Sequence, residues 1–166
     1  MTTNRTFAAW VEPLAEAPRK SRGEVIAFAR SLSPDAWGES SPLDGWAYKD
    51  LLAHLAGDTG KLIQGVLRSV IAAEPLDRAI LNGADETNKR DVAERRGRSV
   101  EELIAEIEAD GETLDELFSQ LTEEQRDLRQ DGFPMSLGEA LSNDPGGHFR
   151  AHLGQLQAAL EGSQSP

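Results

Sequence analysis

Histidine is the residue type in this chain with the clearest chemical potential, and it occurs only at His54, His148 and His152. His148 and His152 are four residues apart, which on a helix places both imidazoles on one face with Cβ atoms about 5–6 Å apart. Two neutral imidazoles at that separation can bind one divalent metal ion, and a third from elsewhere would complete a facial cap. The pattern predicts a three-histidine metal site. A hydrogen-bonded core or surface pair of histidines is the competing interpretation.

The residues around such a site suggest what it could do. A metal ion with open coordination positions can polarise a carbonyl, lower the pKa of bound water to about 7, or bind a thiolate. Asp58 stands four residues after His54 and is the candidate catalytic residue. It could be a fourth ligand, a general base or a carboxylate that orients an imidazole, and equally a solvated or capping aspartate. Trp46 is predicted to anchor a helix entry or to wall a substrate pocket, and Asn88 could line the mouth.

Four amphipathic helices are predicted to position these side chains. Apolar residues recur with helical spacing over about 7–32, 47–70, 99–121 and 136–160, and no alternating strand pattern appears. The polar segment 74–98 is predicted to be a connection that contains a short helical turn around residues 85–94. The sequence therefore predicts an all-α fold, a four-helix bundle with a long connection between helices 2 and 3.

The three histidines occur on facing elements of this predicted bundle. His54 lies beside the apolar stripe of the second helix, which extends through Leu62, and the other two lie on a core-facing line of the last helix. The sequence Asp144-Pro145-Gly146-Gly147 interrupts that last helix. Either the helix kinks there, or a new helix starts with Asp144 as its cap. The break could loosen His148 or place it in the first turn of a helix.

Composition limits the class of protein. With 166 residues, of which 39% are hydrophobic and 28% charged, the chain is expected to form a single domain. A formal net charge of -12 argues against nucleic acid as a partner. The short basic run Arg95, Arg96, Arg98 is interpreted as a solvated loop or a helix approach. No signal peptide or membrane span is predicted, so a cytoplasmic protein without a membrane partner is expected.

Two segments resemble the DinB-like (DNA-damage-inducible) family of four-helix-bundle metalloproteins. Residues 45–55, GWAYKDLLAHL, are similar to that family's entry into the second helix, and residues 148–156, HFRAHLGQL, to its last-helix motif H-x-x-x-H followed by leucine. The order of elements is similar over about residues 7–160. Ala47 is a departure, because the family often has Ser or Thr there, and its presence would shift or remove the helix N-cap.

The resemblance implies a ligand set and a class of function. It implies that His54, His148 and His152 hold one divalent metal, commonly zinc or nickel, with water in the remaining positions. It also implies a homodimer. Related proteins are of the mycothiol-dependent maleylpyruvate isomerase and bacillithiol transferase types, which implies a small-molecule substrate and a low-molecular-weight thiol cosubstrate, or hydrolase activity. The chain has no cysteine, so a thiol nucleophile would have to come from the cosubstrate. A non-catalytic metal-binding or stress-related bundle and a helical dimerisation module are the alternatives.

Overall fold

A computed structural model describes residues 5–41, 45–57, 61–77, 84–129, 135–143 and 146–163. These residues form no β-strand beyond one isolated bridge between Ser40 and Ala47, so the predicted all-α class is confirmed. No helix within these ranges is both long enough and apolar enough to cross a membrane. The α-helices are α1 (Glu12–Ser31), α2 (Tyr48–Gly57), α3 (Lys61–Ala72), α4 (Ala84–Arg95), α5 (Val100–Ser119), α6 (Leu137–Ser142) and α7 (Gly147–Ser163), with 3₁₀ helices at Pro34–Gly38 and Glu123–Asp127.

The core consists of two hydrophobic clusters, called proximal and distal, and four helical segments run between them. Helices α2–α3 and α5 lead from the proximal to the distal cluster, and α1 and α6–α7 lead from the distal to the proximal cluster. Between α3 and α5 the chain returns to the proximal cluster through the connection that contains α4. Helix α4 is the crossover that makes this bundle topology possible. The proximal cluster is Val25, Ala29, Trp37, Tyr48, Leu51, Leu52, Ala53, Leu55, Ala56, Leu103, Ile104, Ile107, Phe149, Leu153 and Leu156, and the distal cluster is Val11, Leu14, Ala15, Leu67, Val70, Leu114, Leu117, Phe118, Leu121, Leu137 and Leu141.

A polar layer lies where α1 and α5 pass from one cluster to the other. The buried guanidinium of Arg22 is 3.8 Å from Oδ1 of Asp115, and Arg19 donates to Oδ2 of the same carboxylate at 2.7 Å. Burial lowers the pKa of Arg22, and the charge of Asp115 opposes that shift. Gly111 leaves room for the arginine, since a Cβ there would lie 2.7 Å from Nε of Arg22. The two apolar clusters are therefore separated by a buried ion pair.

Capping boxes set the start of two of the helices. At α5 the hydroxyl of Ser99 accepts from the N–H of Glu102, and the Glu102 carboxylate accepts from the N–H of Ser99 at 2.6 Å. Ser136 and Glu139 form the same reciprocal pair at the start of α6. Each pair satisfies two backbone donors that a helix N-terminus would otherwise leave without partners. Both helix starts agree with the sequence prediction.

The crossover helix lies where the sequence predicts a short helical turn, around residues 85–94, but it is a 12-residue helix and is partly buried. Helix α4 runs from Ala84 to Arg95 and packs chiefly on α2. Asp91, Val92 and Arg95 are buried there, with exposed fractions of 3%, 2% and 9%. Arg95 donates to Oε1 of Glu106 on α5 at 2.6 and 3.0 Å. Charged residues therefore hold much of this helix against the bundle.

The basic run begins at Arg95, the last residue of α4, and continues through an exposed turn that leads into α5. The predicted solvated loop or helix approach is therefore confirmed for Arg96 and Arg98 and wrong for Arg95. Arg95 belongs to the buried contact just described, and Arg98 forms an ion pair with the same Glu106. Arg96 lies 3.0 Å from the carboxylate of Asp50 at the start of α2. All three arginines are thus paired with acidic side chains of the bundle, and together they join α4 to α2 and α5.

The predicted second helix is described as two helices. Helix α2 ends at Gly57 and α3 begins at Lys61, and residues 58–60 lie outside the described ranges. The predicted apolar stripe of the second helix continued through what are now α2 and α3, and it assigned Leu62 to the core. This assignment is wrong, because Leu62 is 46% exposed.

Candidate metal centre

Backbone groups at the start of α2 are satisfied although Ala47 has no capping side chain. The N–H of Ala47 donates to Oδ2 of Asp50 at 3.2 Å. This bond is one half of a capping box, in which a carboxylate three residues later accepts from the backbone N–H of the cap residue. The N–H of Tyr48 donates to the carbonyl oxygen of Glu39 at 3.0 Å. The departure from Ser or Thr at this position therefore leaves the entry into α2 intact. Helix α2 then carries His54 on its second turn.

His148 lies in the first turn of α7, which is one of the two outcomes that the sequence predicts for the break before it. Gly146 has φ +75°, a left-handed conformation that favours glycine, and a Cβ there would lie 2.4 Å from Oγ of Ser21. The chain thus turns sharply against α1 and begins α7 one residue before His148, with His152 one turn later. Residues 144–145, which include the alternative cap, lie outside the described residues.

The three histidines converge at the proximal end of the bundle. One ring nitrogen from each lies within 4.8 Å of the other two. The ring centroid of His54 is 5.0 Å from each of the other two, whose own centroids are 4.6 Å apart. Exposure increases from His54, which is 3% exposed, through half-buried His152 to exposed His148. The group is closed on the α2 side and accessible on the α7 side.

His54 is held in the neutral form that a metal requires. Its pKa is lowered to about 4, chiefly by burial and then by the two neighbouring histidines, while the charge of Asp91 acts in the opposite direction. Its Nδ1 atom is buried and has no hydrogen-bond partner within the described part of the chain. A buried ring nitrogen without a partner costs about 1–3 kcal/mol. Coordination of a metal ion would compensate that cost.

The three nitrogen donors are of a kind that can hold a divalent metal ion. Nδ1 of His152 lies 2.8 Å from Oε1 of Gln155, and because a carboxamide oxygen only accepts, this nitrogen donates. Nε2 of His152 is then the nitrogen with a lone pair for a metal, as is usual when the other ring N–H is anchored. Nitrogens around one tetrahedral ion lie about 3.4 Å apart, given bonds of about 2.0–2.1 Å.

The other predicted site residues have different outcomes. The Trp46 ring lies 5.3 Å from that of His54 and packs on the proximal cluster, so it walls one side of the group. Asn88 is half-buried on α4, and its place at the mouth stays a prediction. Asp58 lies outside the described residues, so its assignment as the catalytic residue also stays a prediction. In the described ranges, no further His, Asp or Glu joins the three histidines.

Asp91 is the residue near the site that sequence reasoning missed. It is buried on α4 and packs against α2 at Gly57, three residues after His54, and its negative charge opposes the lowering of the pKa of that ring. The available signal was the spacing of Asp91 and Arg95, an i, i+4 acid–base pair on either side of the apolar Val92.

The fold is similar to two kinds of solved structure. The mycothiol-dependent maleylpyruvate isomerase matches with a TM-score of 0.69 at 17% identity over 88% of this chain, and a histidine-to-alanine mutant of that isomerase matches with 0.69 at 16%. This chain spans 60% of the length of that enzyme. An uncharacterised protein from Escherichia coli UTI89 matches with a TM-score of 0.70 at 16% identity, over 94% of this chain and 95% of the other.

Sequence comparison gives the family. No curated protein sequence matches the chain. The family model described as the mycothiol maleylpyruvate isomerase N-terminal domain matches residues 18–146, which is more than half of the chain and includes His54. The chain belongs to the family of mycothiol maleylpyruvate isomerase N-terminal domains, which have the DinB-like fold.

Proposed function

We propose that this protein is a divalent-metal-dependent enzyme that transfers or isomerises a small molecule with the help of a low-molecular-weight thiol. The observation that carries the proposal is the convergence of His54, His148 and His152 at a site that is buried on one side and accessible on the other. Zinc and nickel are the proposed metals, because imidazole nitrogens suit both. The absence of cysteine from the chain requires that the thiol come from a cosubstrate.

Each residue of the proposed site has a part that follows from its surroundings. Bound there, the metal would supply a Lewis acid that lowers the pKa of a thiol or water and polarises a carbonyl. His54 provides a fixed neutral nitrogen because α2 buries it, and Gln155 fixes the tautomer of His152. The indole of Trp46 shields the ring of His54 on one side. The exposed side at His148 is where substrate and thiol would enter.

The family narrows the chemistry that we propose. One matched structure is a mycothiol-dependent isomerase that acts on maleylpyruvate, so mycothiol is the first thiol to test and a small α,β-unsaturated acid the first substrate. Because this chain spans only 60% of that enzyme, the activity, the thiol and the substrate of the whole enzyme are proposals for this chain. Bacillithiol-dependent transfer and thiol-independent hydrolysis are the other reactions to assay.

Metal analysis followed by activity assays tests the proposal. The purified chain is expected to hold one zinc or nickel ion, and His54→Ala should lose it, whereas the surface variant Leu62→Ala should retain it. The metal-loaded protein should then consume mycothiol with an electrophile panel or isomerise cis-unsaturated acids, and His54→Ala should not. A metal-loaded protein that is inert with mycothiol, bacillithiol, esters and amides would contradict the enzyme proposal and support a non-catalytic metal-binding bundle.

The homodimer and the cytoplasmic location implied earlier stay predictions. Light scattering coupled to size exclusion tests the first, since a dimer has twice the 18.0 kDa mass of the chain. A mass that stays at the single-chain value across concentrations would contradict it.

A further inference from the structure

Helix α7, which carries two of the three histidines, takes its position mainly from α1. Within the described ranges α7 packs chiefly on α1 and less on α2, the helix that carries His54. Helix α1 itself contains no histidine. The distance between His54 and the other two histidines therefore depends on a third helix that contributes no ligand.

The start of α7 approaches the backbone of α1 closely at Gly146. A Cβ at this position would lie 2.4 Å from Oγ of Ser21, 3.0 Å from the carbonyl oxygen of Ala17 and 3.1 Å from Cα of Pro18. Oγ can move when the serine side chain rotates, but the other two atoms belong to the backbone of α1. A residue with a side chain at this position would therefore force α7 away from α1.

Gly146 also determines where α7 begins. Its φ is +75°, and its carbonyl oxygen accepts from the N–H of Arg150 at 3.2 Å, the bond that opens the helix. His148 follows two residues later and His152 one turn after that. Both imidazoles are thus placed by the point at which the chain leaves α1. On the other side of the contact, Ser21 is 1% exposed, so no space is left there for added atoms.

We propose that Gly146 is a positioning residue of the metal centre, and that its close contact with α1 holds the two histidines of α7 at the distance from His54 at which all three can bind one divalent ion. The inference rests on the proposed metal site. Bonds from zinc to imidazole keep to about 2.0–2.1 Å, so a displacement of α7 relative to α2 strains or breaks them. The contact with α1 would then act on metal affinity without touching the metal.

Zinc affinity of the full chain, measured by competition with a chromophoric chelator, tests this role. Gly146→Ala should weaken zinc binding about tenfold or more, since residues that support metal ligands typically change the affinity about 10–100-fold when mutated. Gly154→Ala is the matched control, because it makes the same substitution on α7 at a position where a Cβ meets nothing within 4 Å. It should bind zinc as wild type does. Equal affinities of the two variants would overturn the proposal.

A second variant displaces α7 from the α1 side and leaves the sequence of α7 unchanged. Ser21→Val replaces a buried hydroxyl with two methyl groups at the contact with Gly146, and we expect zinc binding to weaken as it does in Gly146→Ala. Ser21→Ala adds no volume and should lose less affinity than Ser21→Val. Losses of equal size in the two Ser21 variants would contradict displacement of α7 as the cause.

Leu114→Ala separates a change at the site from a general loss of stability. It removes buried packing from the distal cluster, so it should lower the urea midpoint at least as far as Gly146→Ala and leave zinc affinity close to that of wild type. The visible spectrum of bound Co²⁺, which depends on the number and arrangement of its ligands, should change in Gly146→Ala and not in Leu114→Ala. An equal loss of zinc affinity in both variants would overturn the proposal.

His54→Ala distinguishes failure of this inference from failure of the proposed metal site. If wild type does not bind zinc, or if His54→Ala binds it equally well, the metal site itself is refuted. If His54→Ala loses zinc while Gly146→Ala and Ser21→Val bind it as tightly as wild type, the metal site stands and this inference fails.

Discussion

Acidification is expected to destabilise the metal-free chain through His54. Burial lowers the pKa of this ring from 6.5 to about 4. Above the higher value the ring is neutral in both the folded and the unfolded chain, so it adds no pH dependence there. Between the two values the unfolded chain binds a proton that the folded chain does not, and stability therefore falls as the pH falls. The loss in the free energy of unfolding is about 2 kcal/mol at pH 5 and about 3 kcal/mol at pH 4.

Urea unfolding followed by circular dichroism measures this loss when a chelator keeps the protein free of metal. Other groups also titrate on acidification, so the test compares wild type with His54→Gln, which cannot be protonated at this position. Between about pH 7.5 and pH 5, wild type should lose about 2 kcal/mol more than the variant. Parallel pH dependences would refute the reasoning, because they would mean that His54 accepts a proton equally well in both states.

Three further substitutions test the structure by urea unfolding. Gly146→Ala should lower the free energy of unfolding by about 1–3 kcal/mol, because it forces a left-handed backbone on alanine. Gly154→Ala, whose methyl group meets nothing within 4 Å, should be neutral or stabilising. Equal stability of the two variants would contradict the left-handed turn at Gly146. Leu52→Ala should cost about 2–5 kcal/mol in the proximal cluster and Leu62→Ala less than about 0.5 kcal/mol, so similar losses would contradict their assigned burial. Ser99→Ala should cost about 1 kcal/mol through the lost cap, and an unchanged midpoint would count against that capping box.

The parts of the structure that local interactions determine could be predicted from the sequence. The capping boxes at Ser99 and Ser136 join residues three apart, so their spacing is visible in the chain. The apolar stripe of α5 and the spacing of His148 and His152 are local in the same sense. Helical periodicity placed His54 on a facing element, the resemblance to a known family supported the same three residues, and the structure brings all three histidines together.

The parts that depend on contacts distant in sequence could not be predicted. Helix α4 buries Asp91 and Arg95, and an amphipathic pattern assigns charged residues of this kind to the solvent side. Their burial depends on Glu106, which belongs to α5, and on the missing side chain at Gly57. Leu62 shows the opposite error. The helical period was continued across residues 57–60, and it therefore assigned to the core a side chain that is exposed.

The buried ion pair of Arg22 and Asp115 has a consequence for how the protein opens. Local unfolding follows units that share apolar contacts, and here the apolar contacts stop on either side of this pair. We therefore expect the two clusters to open as separate units, with α1 and α5 as the continuous helices that join them. On this expectation the amide hydrogens of the distal half exchange while the proximal half stays closed. Because all three histidines belong to the proximal end, the proposed metal centre would depend on the stability of that half alone.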